Sequence, residues 1–473
     1  MKTHDTIART VLAAALAASA AACDNGLTEL NENPNQPTQV SAEYLFTNAT
    51  EAAVSRAMGA GLHMDLTALW VQHYGEMRYT EEDRFELRDP TVNGHWTGFY
   101  AGPLQDFNEV VTQGDTLARP NVKGMGVVMR SWTFQIVTDL WGDVGYSQAL
   151  RGRTPGSPTT VAYDPQQQIY AGLLAELADA QGLFTTTGYR MGTADLIYGG
   201  DPARWKKFAN SLRLRMAMRL SQVDANAGRA AFQAALAAGV MTANTDNAVL
   251  TYVDNGVDVH PIFASQRAAP THGINATIVD SLKSLADPRL GIYANRNAGG
   301  YYKGEVPASM TDVSLDSISR IGTHFSRANA PSYLMTYAEV LFLQAEAAER
   351  GWITADAGAL YRAAITAHMQ MLGVSGGDIT TYLAQPRVAY AGLPSIGVQK
   401  WFALYGNGPE AYAEWRRTGQ PTLRAGPDAL NDGRIPVRLP YPTIEQSLNN
   451  AALQEAITRQ GGAGLNNPVW WDR

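Results

Sequence analysis

The stretch SYLMTYAEVLFLQAEAAER, Ser332 to Arg350, is apolar on nearly every side when wound as a helix. Leu334, Tyr337, Leu341, Phe342, Ala345 and Ala348 are spread right round it. A helix of that kind is buried between neighbours. After a short turn, Trp352 to Leu372 reads as its antiparallel partner, with alanines that allow close approach. The two together have the form of one helix-turn-helix repeat unit. Glu339 and Glu346 fall on one face of the first helix, with Glu349 nearby. Paired carboxylates can serve acid–base chemistry. Buried carboxylates can equally be held by arginines from a facing helix, and in so apolar a helix we favour that reading.

Outward from this pair, most of the chain has helical periodicity. Ala42–Met58, Met64–Tyr74, Phe107–Gln113 and Gly126–Leu140 are predicted helices. Asp164-Pro165 has the form of a cap followed by proline in the first turn and opens a helix to about Leu183. Asp201-Pro202 repeats that signal. Trp205, Phe208, Leu212, Met216 and Leu220 then form one apolar stripe. Lys206 and Arg213 flank it on one side, and Arg204, Arg215 and Arg219 on the other, as a solvated or internally paired border. Strand-like segments are few: Ala248–Val253 and short pieces near 390 and 437. Residues 243–275 and 289–331 are long tracts rich in Gly, Asn, Pro and aromatics, and such tracts in a helical body commonly carry function. The expected fold is mostly α, with helix pairs, long irregular loops and a few short strands.

Composition narrows the class. The chain has 473 residues, 45% of them hydrophobic, which is enough for a large core without disulfides or metal staples. Its net charge of −7 argues against nucleic acid as a partner. Tyrosine and tryptophan outnumber phenylalanine (21 and 10 against 12), a bias that suits half-exposed surfaces meeting ligands. Lys2 and Arg9 precede an apolar, small-residue run from Val11 to Ala22, which reads as a signal peptide over residues 1–22. The run is too short to span a bilayer, which takes roughly 20 apolar residues. Cys23, the single cysteine, follows at the cut and reads as a lipid acceptor, although Ala20 stands where a larger apolar residue is usual. Residues 23–40 then form a polar, Asn- and Pro-rich tether, and residues 41–473 the body.

Several segments, in order, resemble one known family. They are Leu30-Asn31-Glu32-Asn33-Pro34-Asn35, Asp139-Leu140-Trp141-Gly142-Asp143 with Tyr146-Ser147, and Tyr198-Gly199-Gly200-Asp201 through Trp205 to Leu212. Tyr337-Ala338-Glu339-Val340-Leu341-Phe342, Glu414-Trp415-Arg416-Arg417-Thr418-Gly419, Arg438-Leu439-Pro440-Tyr441-Pro442 and Trp470-Trp471-Asp472 complete the set. The chain is thereby identified as resembling the SusD/RagB-like nutrient-binding outer-membrane lipoproteins, with Gly145 departing from the proline usual there. The resemblance implies a body of tetratricopeptide-like helix pairs. It implies a surface-facing, lipid-anchored protein that captures oligosaccharide, or in some members peptide, and delivers it to a TonB-dependent transporter of the SusC/RagA kind. It implies no catalysis and no cofactor.

A sugar site needs flat rings to stack on and polar groups for hydroxyls. The favoured loop is Asn295 to Lys303, with Arg296, Asn297, Tyr301 and Tyr302 as candidate ligand contacts and Gly299-Gly300 as its turn. A second aromatic group contains Trp70, Tyr74 and Tyr79, followed by Trp96 and Tyr100; from it Tyr74 and Trp96 are further candidates. The eight histidines are scattered and make no zinc motif, no phosphate-binding loop is present, and Asp254 to Asp258 reads as a surface turn rather than a calcium loop. An exported all-α glycoside hydrolase or lyase built on Glu339, Glu346 or Glu414 stands as the competing class, and a helical-repeat scaffold for protein partners as a third.

Overall fold

The computed structural model describes residues 40–472 apart from 153, 155 and 312. The expected signal peptide, Cys23 and the tether up to residue 39 lie outside the described residues. Residues from Ala42 onward form one unit.

The helices that build it, labelled in chain order, are Ala42–Met58 (α1), Gln105–Thr116 (α2), Pro120–Trp141 (α3), Gln166–Asp179 (α4), Pro202–Arg219 (α5), Ala225–Ala237 (α6), Pro261–Ala268 (α7), Tyr337–Glu349 (α8), Ala357–Met371 (α9), Leu393–Ala403 (α10) and Gly408–Thr418 (α11). α2 with α3, α5 with α6, and α8 with α9 are antiparallel neighbours in the helix-pair manner expected from sequence. Small residues set their spacing. A side chain at Gly114 would meet the backbone of Lys123 at 2.6 Å, and one at Gly228 would meet the Ala217 carbonyl at 2.9 Å. Between α8 and α9, Ala338, Ala345, Ala364 and Ala367 are buried around Phe342 and Tyr361.

α8 begins five residues later than its periodicity predicts. Pro331–Met335 is a strand, β4, paired antiparallel with β2 at Ala248–Thr251. Thr336 then caps the helix, its hydroxyl accepting the Glu339 N–H at 3.2 Å. The helix ends where Gly351 takes φ +68°, and the Trp352 N–H returns to the Ala347 carbonyl at 2.7 Å. At the start of α4 the expected cap is displaced. Asp164 accepts the backbone N–H groups of Tyr146 and Ser147 instead, while the Gln166 N–H is met by Asp143. Asp201 does cap α5 as expected, accepting from Ala203.

The predicted helix Met64–Tyr74 is helical only to Trp70, opening with a wide π-helix at Ala60–Thr67. Gln72 then turns left-handed at φ +59°, and Tyr74–Glu76 becomes β1. β1 pairs antiparallel with β3, His272–Ile274. No strand forms near 390 or 437.

The arginines of α5 are largely internal. Arg215 grips Glu339 at 2.7 and 2.8 Å, and Arg219 donates to Glu410 at 2.6 Å and to Glu414. Arg417 bridges Glu346 and Glu414, Lys400 lies 2.8 Å from Glu414, and Asp139 completes the group 3.6 Å from Arg219. One buried ionic node thus joins α3, α5, α8, α10 and α11. Buried charges persist only when paired in this way.

Candidate ligand cleft

Glu76, the last residue of β1, lies directly across from His272, the first of β3. Opposed residues of an antiparallel pair project to the same side, so carboxylate and imidazole meet. The pair before them is Gly75 opposite Gly273. A side chain at Gly75 would meet Cβ of Glu305 at 2.9 Å, and one at Gly273 would meet Ile318 at 2.8 Å. Two glycines therefore let covering segments close over the strand pair.

Beyond Glu76 the chain folds into tight turns to residue 88 instead of continuing the strand. Phe85, buried at φ +72°, pins the turn from inside. Arg88 donates to Glu82 through Nε at 2.7 Å. Tyr79 sits on these turns at φ +58° and is 76% exposed. A non-glycine residue there carries strain on the order of 1 kcal/mol, and the ring is presented to solvent. Ser265 of α7, Ala269, Thr271 and His272 line the same cleft. Asp65, Glu76, Arg78, Glu81, Glu82, Glu86 and Arg88 supply the rest of the lining. The cleft holds about 400 Å³, the size of a small-ligand site. A neighbouring depression of about 300 Å³ shares the α7–β3 segment and is lined by Phe263, Arg267, Pro270, Asn295 and Arg320.

The cleft floor has its own electrostatics. Nε2 of His272 lies 3.2 Å from Oδ1 of Asp65 and 3.6 Å from Oε1 of Glu76. Burial opposes a charged imidazole, yet the two carboxylates raise the His272 pKa to about 9. Burial pushes Glu76 up to about 7 and Asp83 well above the usual carboxylate range.

The sequence-predicted contacts separate into two sets. Arg296, Tyr301 and Tyr302 do come together in one surface loop. Tyr301 is 53% exposed, and the Arg296 guanidinium lies 4.6 Å over the Tyr302 ring. Asn297 is buried in that loop, donating to the Ser317 carbonyl and accepting from the Tyr301 N–H. Tyr74 is fully buried, edge-on to His63 and Tyr405. Trp96 is buried among Tyr100, Trp141 and Tyr163. Neither of these two rings is open to solvent as placed. The sequence places Tyr79 in an aromatic group with Trp70 and Tyr74 and does not single out Asp65, Glu76 or His272. The left-handed turn that exposes Tyr79 and the β1–β3 register that brings Glu76 to His272 have no short-range signature.

The sequence pattern of a family described as starch-binding and associating with the outer membrane, SusD-like, matches residues 34–442. The chain belongs to the SusD-like family. Solved structures agree. This SusD-like chain matches a chitin-binding protein with a TM-score of 0.81 at 27% identity, over 91% of this chain and 100% of that one. A SusD homolog from Bacteroides thetaiotaomicron matches at 0.80 and 25% identity, over 92% and 99%. A chitin-binding SusD homolog from Flavobacterium johnsoniae matches at 0.78 and 23% identity, over 91% and 97%. No curated protein matches the sequence. Among the described residues, no helix is long and apolar enough to cross a membrane.

Proposed function

We propose that this SusD-like protein binds oligosaccharide at the outer membrane in the cleft beside Tyr79 and hands it to a TonB-dependent transporter of the SusC/RagA kind. The observation that carries the reading is Tyr79. A solvent-facing ring held at positive φ, above a polar wall of carboxylates and arginines, provides a stacking face with hydroxyl partners beside it. The family description and the two chitin-binding relatives support a polysaccharide fragment as ligand. The Arg296–Tyr302 loop is proposed as a second contact surface, with Tyr301 as its exposed ring. Asn297, Tyr74 and Trp96 are proposed to support these surfaces from within. Cys23 is proposed to carry the lipid that keeps the protein at the membrane.

No chemistry is proposed. Glu339, Glu346 and Glu414, the carboxylates best suited by sequence to hydrolysis, are buried against Arg215, Arg417 and Arg219 and do not line the Tyr79 cleft. Calorimetry with chitin and starch oligosaccharides, and with peptides as a parallel series, tests the reading. Saturable glycan binding that Tyr79→Ala weakens, with no new reducing ends released, is the expected result. Glycan binding untouched by both Tyr79→Ala and Tyr301→Ala would remove the cleft and loop, peptide binding alone would replace the ligand class, and turnover would replace the function.

A further inference from the structure

We propose that Asp65, Glu76 and His272 form a binding site for a divalent transition metal, best suited to zinc, in the floor of the cleft. One donor atom from each residue lies within 4.8 Å of the others. The edges from Nε2 of His272 are 3.2 Å to Asp65 and 3.6 Å to Glu76. Zinc bonds of roughly 2.0–2.2 Å to nitrogen and oxygen, arranged tetrahedrally, imply donor–donor edges of about 3.3–3.6 Å. Both edges from His272 therefore match those of a tetrahedral site, and the third, between Asp65 and Glu76, is no longer than 4.8 Å.

The orientation of each group supports the same reading. His272 is buried, and its Nε2 makes no hydrogen bond despite the nearby carboxylates. Its direction suits a shared central ion better than either oxygen alone. Nδ1 faces the Thr271 hydroxyl at 3.1 Å, which fixes the ring and leaves Nε2 as the ligand atom. Oε2 of Glu76 accepts the Asp83 N–H at 3.1 Å, which leaves Oε1 free for a metal. An imidazole nitrogen with two carboxylate oxygens selects zinc over calcium, which takes an all-oxygen shell. Three protein ligands leave a coordination position toward the cleft, where a hydroxyl, a carboxylate or water can bind.

The site does not depend on what the cleft captures, so its test is separate from the glycan experiment. Chelator-treated full-length protein titrated with zinc chloride should take up one ion per chain. His272→Ala should abolish uptake. Asp65→Asn, whose side chain is partly exposed and whose loss leaves the core intact, should weaken binding at least tenfold. Thr271→Val, which only frees the ring, should weaken it about tenfold. Cobalt in place of zinc should give the visible bands of a four-coordinate centre in the parent and not in Asp65→Asn. No saturable zinc uptake, uptake of calcium alone, or zinc affinity unchanged in Asp65→Asn would each overturn the proposal. Circular dichroism identifies a misfolded His272→Ala, and Asp65→Asn then decides.

Discussion

The two terminal nitrogens of Arg417 lie 2.6 Å from the two carboxylate oxygens of Glu346, with neither side chain more than 4% exposed. Burial works against both charges. Even so, Arg417 holds the Glu346 carboxyl below its ordinary range. Glu339 meets Arg215 in the same two-pronged way.

Removing Arg417 takes the two-pronged partner from Glu346 and leaves it only Arg350, partly exposed at 2.8 Å. Arg417→Met is expected to destabilise the fold by about 3–5 kcal/mol. Arg417→Met with Glu346→Leu should cost less than the two single changes added together. Denaturant titration of the three variants measures the coupling.

Tyr79 separates binding from folding. Tyr79→Gly keeps the left-handed turn without the penalty of a side chain there, so stability should hold or rise by about 0.5–1 kcal/mol. Glycan affinity should fall about tenfold with loss of the stacking face. Thermal melts and calorimetry on one preparation read both.

The strand pair beneath the cleft tolerates no side chain at its centre. In Gly273→Ala the new Cβ would lie 2.8 Å from Ile318 and 3.0 Å from the Ser319 carbonyl. The expected cost is about 1–3 kcal/mol, with weaker ligand binding because Glu76 and His272 lose their register. Gly256→Ala, at a positive-φ turn with open space around it, is a control for backbone strain alone.

Much of this molecule was legible in its sequence, and the exceptions have a common cause. α1 matches its predicted bounds because its amphipathic pattern has no competitor nearby. The arginine partners of the α8 carboxylates are legible because a helix so apolar has no water to offer them. Ser332–Met335 has helical periodicity yet forms a strand with a partner, Ala248–Thr251, that is far away in sequence. Asp164 has the local form of a helix cap, since nothing nearby in sequence shows that the Tyr146–Ser147 turn competes for its oxygens. The cleft was hardest to see. Glu76 and His272 meet only through the β1–β3 register, Asp65 joins them from the π-helix at Ala60–Thr67, and Tyr79 is distinguished from Trp70 and Tyr74 by backbone handedness.

Acid should weaken the fold through its buried histidines. His73 donates to the Trp401 carbonyl from a site that lowers its pKa to about 3, mainly by burial. The unfolded chain binds that proton from about pH 6.5 downward, whereas the folded chain does so only near 3. Stability is therefore lost as pH falls through this window, by about 1.4 kcal/mol per pH unit for this residue. Relative to His73→Gln, the parent should lose stability with that added slope below pH 6.5 and show no difference in slope above it. Unfolding curves from pH 8 to 4 provide the check.

Cys23→Ser should free the protein from the membrane fraction while leaving its melting midpoint and glycan affinity unchanged. Detergent partitioning and calorimetry together test it. Loss of folding would assign Cys23 a structural part instead.

Stacked helix hairpins ordinarily contact only their neighbours, so such arrays can unravel from an end. The ionic node formed by Asp139, Arg215, Arg219, Glu339, Glu346, Lys400, Glu410, Glu414 and Arg417 ties together helices distant in sequence. No hairpin can leave without stranding a charge that belongs to another. The array is locked at its centre, and its hairpins should melt together in a single cooperative step.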